Sequence, residues 1–543
     1  MRRPFWKTCS CMALAVVLAL SCAGCDTGGE TSTPTDQTGS VPEATGSDPS
    51  DLTPEAGMPL VDEPITLSLW MPLTANLTAV MTDLNENEVM QELQRRTNVE
   101  IEFIHPPVGD ASTNLNLLIT SGRLPDMIQI RTVQEYYPRG GDYGIANGIF
   151  TKLNDLVEQY APNFSKILND NPEIKKEVVT DEGNIWGMPM IETEVQPAWN
   201  GFAVRQDWLD DLYISTPVTY DDWHDMLVKF RDEKGAKSPL LMNYSGTFGS
   251  SDMISGFGVG DEFYVENGVV KYGPIEPGWL EYVTMMNQWY SEGLIDQSFF
   301  TRDSSSLDQM KATGQTGVWH ENNMNLSIFT DVLREGDSDA SIVAIPSPVK
   351  AEGQVNHLRQ SNSYNREMYL TITPQCKNPE IAVRWIDYLY SDEGSFLANW
   401  GLPASHEYAN GHYQFSSRIT EDPSGLPAFQ AQSKYALHEF SYVRDWMKDY
   451  YLSPQNVIDS MEIWNTAQDD WVMPTVSLNE QESDVYQKVY PDVSAMVFEY
   501  RVQFINGRKP LSEYDAMVSA LKGIGIDDLV AAYQAAYDRY MAR

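Results

Sequence analysis

Ile65-Thr66-Leu67-Ser68-Leu69 alternates apolar and polar side chains, the period-two pattern of a strand with one buried face. Beyond it, Val89, Leu93 and Thr97 mark one face of a helix, with Glu92 and Arg96 spaced four apart beside it. Val99-Glu100-Ile101-Glu102-Phe103 alternates again and stops before Pro106-Pro107. Leu115, Leu118 and Ile119 return to helical spacing, and Gly122 suits a C-terminal cap. Pro125-Asp126 then breaks the chain before a third strand, Met127-Ile128-Gln129-Ile130. Strand, helix, strand, helix, strand predicts an α/β lobe with a parallel sheet and helical crossovers. In open sheets of this kind ligands sit beyond the carboxyl ends of the strands. Trp70 lies there after the first strand and Arg131-Thr132 after the third. A Trp at such a place serves either packing or ligand contact.

Toward the amino terminus, Met1-Arg2-Arg3-Pro4-Phe5-Trp6-Lys7 carries three positive charges and no acid. An apolar run from Met12 to Leu20 follows and ends in Ser21-Cys22-Ala23-Gly24-Cys25. That order of charged, apolar and small residues is an export signal over 1–24. The run is too short to cross a ~30 Å hydrocarbon core as a helix. Ala23-Gly24-Cys25 resembles the lipobox of bacterial lipoproteins, which implies lipidation at Cys25, with Cys22 as a second candidate. Residues 25–62 are mostly Thr, Ser, Gly, Pro, Asp and Glu, too polar to offset the entropy of ordering. They are expected to form a disordered tether. Cys376 is alone in the body, without a Cys or paired His at metal-ligand spacing.

The formal charge of −40 disfavours nucleic-acid partners, because neutralising phosphate needs clustered Lys and Arg. A body running from about Glu63 to Arg543 exceeds what a single core serves. Its later segments read as helices. Leu153, Leu156, Val157 and Tyr160 form one stripe, and Trp223, Met226, Leu227 and Phe230 a second, entered by Thr219 with Asp222 three residues on. Trp279, Val283, Met286 and Tyr290 form a third. Asn378-Pro379-Glu380 starts a fourth, faced by Ala382, Trp385, Ile386 and Leu389.

Several stretches carry a resemblance. They include Glu92-Leu93-Gln94-Arg95-Arg96-Thr97-Asn98-Val99, Thr120-Ser121-Gly122-Arg123-Leu124-Pro125-Asp126-Met127-Ile128 and Trp199-Asn200-Gly201-Phe202-Ala203-Val204-Arg205-Gln206-Asp207-Trp208-Leu209. Trp289-Tyr290-Ser291-Glu292-Gly293-Leu294-Ile295-Asp296 and the run from Asn378 to Tyr390 continue the series. In this order they resemble family 1 extracellular solute-binding lipoproteins of ABC importers, particularly the long LplA/LipO-like branch. The resemblance implies a helix-rich, two-lobed periplasmic-binding-protein fold of the second topological type, with the ligand cleft between lobes. It places lobe 1 at 63–190 plus 340–395 and lobe 2 at 191–339 plus 396–543. It implies a small-molecule solute, commonly an oligosaccharide, permease subunits as partners, a lipid-anchored place on the outer face of the cell membrane, no catalysis and no cofactor. Relatives carry a calcium loop after the helix that holds Trp223. Here that stretch, Phe230-Arg231-Asp232-Glu233-Lys234-Gly235-Ala236-Lys237-Ser238, has too few oxygen ligands, so no metal is expected.

Sugars are held by aromatic faces and by polar side chains at their hydroxyls. Gly317-Val318-Trp319-His320-Glu321-Asn322-Asn323 offers Trp319, His320 and Asn322, although Trp319 equally suits packing between lobes. Tyr364 in Ser361-Asn362-Ser363-Tyr364-Asn365-Arg366 is a second candidate. Trp199 and Arg205 lie near the expected lobe crossing, where Arg205 and Asp207 also suit a structural ion pair. Trp70, Trp400 and, more weakly, Trp464 complete the set. The rival classes are a surface glycan-degrading enzyme using two carboxylates and a peptide-binding lipoprotein. With 77 Asp and Glu, composition neither supports nor excludes the former.

Overall fold

The computed structural model describes residues 58–137, 140–242 and 250–543. The signal segment, Cys25 and most of the tether lie outside the described residues. In the first sheet, Ile65–Trp70 pairs in parallel with Val99–Ile104 on one side and Met127–Ile130 on the other. Tyr369–Ile372 closes the order antiparallel to Met127–Ile130. All four residues of Met127–Ile130 are buried, as befits an inner strand covered by helices on both faces. The break at Pro125-Asp126 is structural. Asp126 Oδ2 accepts from the Ser68 N–H at 2.8 Å and from its hydroxyl at 2.7 Å, locking the third strand to the first. Gly122 caps the Ala111–Ser121 helix with φ +66, a left-handed conformation that glycine adopts without penalty.

The second sheet is ordered Ile342–Ile345, Asn200–Arg205, Val318–Asn322, Leu240–Leu241. Its core collects the predicted stripes, with Trp223, Met226, Leu227, Phe230, Trp279, Val283 and Met286 all buried together. The Thr219–Asp222 capping box is formed. Gly201 is required where it stands, because a Cβ there would lie 2.5 Å from the Trp464 ring, whose Nε1 donates to Phe202 O at 3.1 Å.

Three boundaries differ from expectation. Residues 58–62 belong to the folded body: Leu60 N–H donates to Thr97 O, and Asn98 Nδ2 donates to the carbonyls of Val61 and Asp62. Met58, Leu60 and Val61 pack their apolar side chains against the first core. Ile342–Ile345 pairs with Asn200–Arg205, so the chain is still in the second lobe at 340 and re-enters the first near Asn365, which bridges to Ile191. Leu397, Ala398, Leu437, Phe440 and Tyr442 pack in the first core, so the stretch after 396 stays in the first lobe. It leaves only before Gln455–Trp464, which packs on the second sheet's side. A helical stripe records that a face is buried but not which sheet buries it.

Three crossings lie side by side. Ile191–Glu192 pairs in parallel with Val443–Arg444 and bridges Asn365. At their centre is Glu192, fully buried, with Arg444 and Arg366 as cationic partners and Gln196 donating an amide N–H. Burial pushes its carboxyl above the ordinary value against the pull of the two guanidiniums. The Ile526–Ala542 helix ties back to the first lobe through Arg539 and Arg543, both paired with Asp181.

Candidate functional site

A cleft of about 380 Å³ opens at the carboxyl ends of the first sheet's parallel strands. Pro72 and Leu73 follow the first strand, Val108 the second, and Arg131 and Tyr136 the third, while Glu439 enters from the distant loop before Phe440. Arg131 Nη2 donates to Glu439 Oε1 at 3.1 Å. Arg131 Nε and Glu439 Oε2 are buried without a hydrogen-bond partner. Such orphaned atoms are rare in folded proteins and call for a ligand or water.

Backbone strain gathers at the same place. Glu367, Met368 and Glu439 have φ of 60, 52 and 61, a left-handed region that costs side chains with a Cβ on the order of 1 kcal/mol each. Surrounding bonds hold them there. Met368 N–H donates to Arg131 O at 3.0 Å, Gln129 Nε2 to Glu439 O at 3.0 Å, and Glu367 Oε1 accepts from Val133 N–H at 3.0 Å. His438, next in the chain, is held well below its ordinary pKa by burial and is neutral at physiological pH. Trp446 on the following turn is half-buried, with an indole N–H that has no acceptor.

One end of the second sheet brings together Trp199, Asn200 and Asn322. Gln360 Oε1 accepts from the N–H groups of Trp199 and Asn200, both at 2.9 Å, and Asn322 Nδ2 donates to Asn200 Oδ1 at 3.3 Å. The Arg366 guanidinium stands 5.3 Å from the Trp199 ring, and the indole stays half-buried. His320 Nε2 meets Asp252 Oδ2 at 2.7 Å, and Ser347 Oγ donates to Asp252 Oδ1 at 3.2 Å.

The other sequence candidates are placed elsewhere. Trp319 is 1% exposed in a core with Ala203, Leu241, Leu326 and Phe329, its Nε1 donating to Glu321. It packs within the second lobe and does not front the cleft. Trp70 is fully buried, its Nε1 donating to Asn114 Oδ1 at 2.9 Å, so its ring lies beneath the cleft. Trp400 packs with Phe415 and Ile419, and Trp464 with the second sheet. Arg205 is buried, paired with Asp207 and Asp337, at the end of its strand away from Asn200. Tyr364 packs partly on the first core, and its carbonyl accepts from the Glu192 N–H. Asn322 also caps the Asn323–Arg334 helix, accepting from Met324 N–H. In the segment 230–238, Asp232 pairs with Arg231 and Lys234 with Asp211. Sequence reading placed Arg131 at a strand end but missed Glu439 and Tyr136. The nearest local signal is the polar and aromatic run His438-Glu439-Phe440-Ser441-Tyr442, which holds Glu439.

The description "Bacterial extracellular solute-binding protein" matches residues 79–395. The fructooligosaccharide ABC transporter substrate-binding protein FusA of Streptococcus pneumoniae is 24% identical over 515 residues, covering 87% of this chain and 90% of FusA. Lipoprotein LipO of Bacillus subtilis is 20% identical, covering 84% and 90%. The solved structure of an HMO-binding, ABC-transporter-associated solute-binding protein from Bifidobacterium longum infantis superposes with a TM-score of 0.72 at 17% identity, covering 88% of this chain and 99% of that one. The two-lobed, helix-rich type II topology read from the sequence is thus the observed one.

Proposed function

The chain belongs to the bacterial extracellular solute-binding protein family, and on that premise we propose that it captures an oligosaccharide between its lobes and delivers it to an ABC permease. The cleft at the strand ends carries this reading. It combines apolar surface from Pro72, Leu73 and Val108 with a hydrogen-bonding pair whose outer atoms lack partners. That mixture suits a sugar, which presents C–H faces and hydroxyls together. FusA, named for fructooligosaccharides and matched over 90% of its length, supports the same ligand class. Lobes joined by three short crossings can hinge, and a ligand touching both stabilises the closed form.

In a thermal-shift screen over a glycan library, a cognate sugar at 100 times its dissociation constant should stabilise the protein by about 2.7 kcal/mol. Chromatography of the same mixture should return the glycan intact, and shortened products would identify a hydrolase instead. A panel in which only peptides shift the transition would favour the peptide-binding alternative.

The mature protein on this reading starts at Cys25, carries lipid there and sits on the outer face of the membrane. A Cys25→Ser variant should appear in the medium or remain unprocessed. Lipid labelling that persists in Cys25→Ser would move the anchor to Cys22.

A further inference from the structure

We propose that Glu439 restricts this cleft to uncharged sugars, by neutralising Arg131 and repelling any ligand that carries a carboxylate. The inference rests on the oligosaccharide reading and narrows it. An acidic sugar needs an unclaimed cation in its site. Among the described residues placed above at the cleft and the crossings, each cationic side chain already faces a carboxylate. Arg131 pairs with Glu439, Arg366 with Glu192, and Arg444 with Glu192 and Asp449. Glu367 adds a further carboxylate to this end of the sheet, accepting from the Val133 N–H and facing the Arg366 guanidinium. A uronate brought to Arg131 would meet Glu439 at the same atoms, and like charges at such range cost more in a water-poor cleft than in bulk solvent.

The orphaned atoms favour a neutral partner as well. Arg131 Nε is a donor and Glu439 Oε2 an acceptor, on the two halves of one ion pair. Two neighbouring hydroxyls satisfy both, one donating to the carboxylate and the other accepting from the guanidinium. A ligand carboxylate seated at the pair accepts only, and in place of a hydroxyl it leaves Glu439 Oε2 unsatisfied. Both atoms are closed to solvent in this unliganded form, so the pair must turn toward the cleft as the sugar seats.

The test uses Glu439→Gln, which keeps the shape and an acceptor for the Arg131 bond while removing the charge. Calorimetric titration compares neutral trisaccharides of glucose, fructose and xylose with trigalacturonate, on wild type and variant at equal ionic strength. Wild type should bind a neutral sugar and show no measurable heat with trigalacturonate. The variant should bind trigalacturonate at least tenfold more tightly than wild type and lose affinity for the neutral sugar. Unchanged melting temperature in Glu439→Gln confirms that folding is intact, and if it falls, Glu439→Ala with its melting temperature repeats the comparison. Trigalacturonate binding to wild type as tightly as the neutral sugar overturns the inference, as does a variant with unaltered preference. Binding of no sugar by either protein overturns the oligosaccharide reading itself.

Discussion

Replacing Trp319 by Ala should cost roughly 3–5 kcal/mol of unfolding free energy, the range for deleting a fully buried Trp. The ring is 1% exposed and sits edge-on to Phe329 at a centroid distance of 6.5 Å. Its removal leaves a cavity between the Val318–Asn322 strand and the Asn323–Arg334 helix. It also takes a donor from Glu321 Oε2, a buried carboxylate oxygen whose other partner is Lys311 at 2.7 Å. Urea unfolding of wild type and Trp319→Ala measures the difference. Sugar affinity in the folded variant should change little, because the ring lies inside the second lobe. A loss below about 1 kcal/mol together with abolished sugar binding would return Trp319 to the cleft, since so small a cost is incompatible with a buried Trp.

Arg444→Met should be as severe, for an electrostatic reason. Arg444 bridges Glu192 and Asp449 at the crossing between lobes, with its own side chain 10% exposed. Met keeps much of the volume but leaves Glu192 to the more distant Arg366 and takes from Asp449 its ion-pair partner. Breaking a buried pair from one side costs roughly 3–5 kcal/mol. Burial opposes ionisation of Asp449, and Arg444 and Lys448 together hold it below the ordinary carboxylate value. Without Arg444 the folded-state pKa of Asp449 rises above that of the unfolded chain, and that of Glu192, already raised by burial, rises further. Stability is then present at low pH and lost as pH climbs through the raised values. The deficit against wild type should therefore be larger near pH 8 than near pH 5. Denaturant midpoints measured across that window decide the matter, and a deficit that grows toward acid would exclude the stranded-carboxylate explanation.

The first lobe was legible because its signals are local. Alternation in Ile65–Trp70 and Val99–Ile104, the stripe of Val89, Leu93 and Thr97, and the cap at Gly122 each depend on residues within a few positions of one another. The same holds for the Thr219–Asp222 box and for the buried face of Trp223, Met226 and Phe230. The reading of Arg205 and Asp207 as an ion pair is another such case, two residues apart and bonded at 2.8 Å. Composition and periodicity fix how a segment folds and which of its faces is buried.

Which aromatic meets solvent is a different kind of question. Trp319 and Trp199 both sit beside polar residues, yet one is sealed in a core and the other is half-open at the crossing. The difference is made by the Asn323–Arg334 helix folding back over its own strand, a contact that no local pattern announces. The cleft is further still from local reading, because Arg131 and Glu439 lie 308 residues apart. The sequence by itself determined the α/β lobes, the helix caps and the buried stripes, since short-range sterics and hydrophobic periodicity act within each segment. Only the tertiary structure decided the binding pair, the burial of each Trp and the points where the chain changes lobe, because these depend on which distant surfaces come to cover one another.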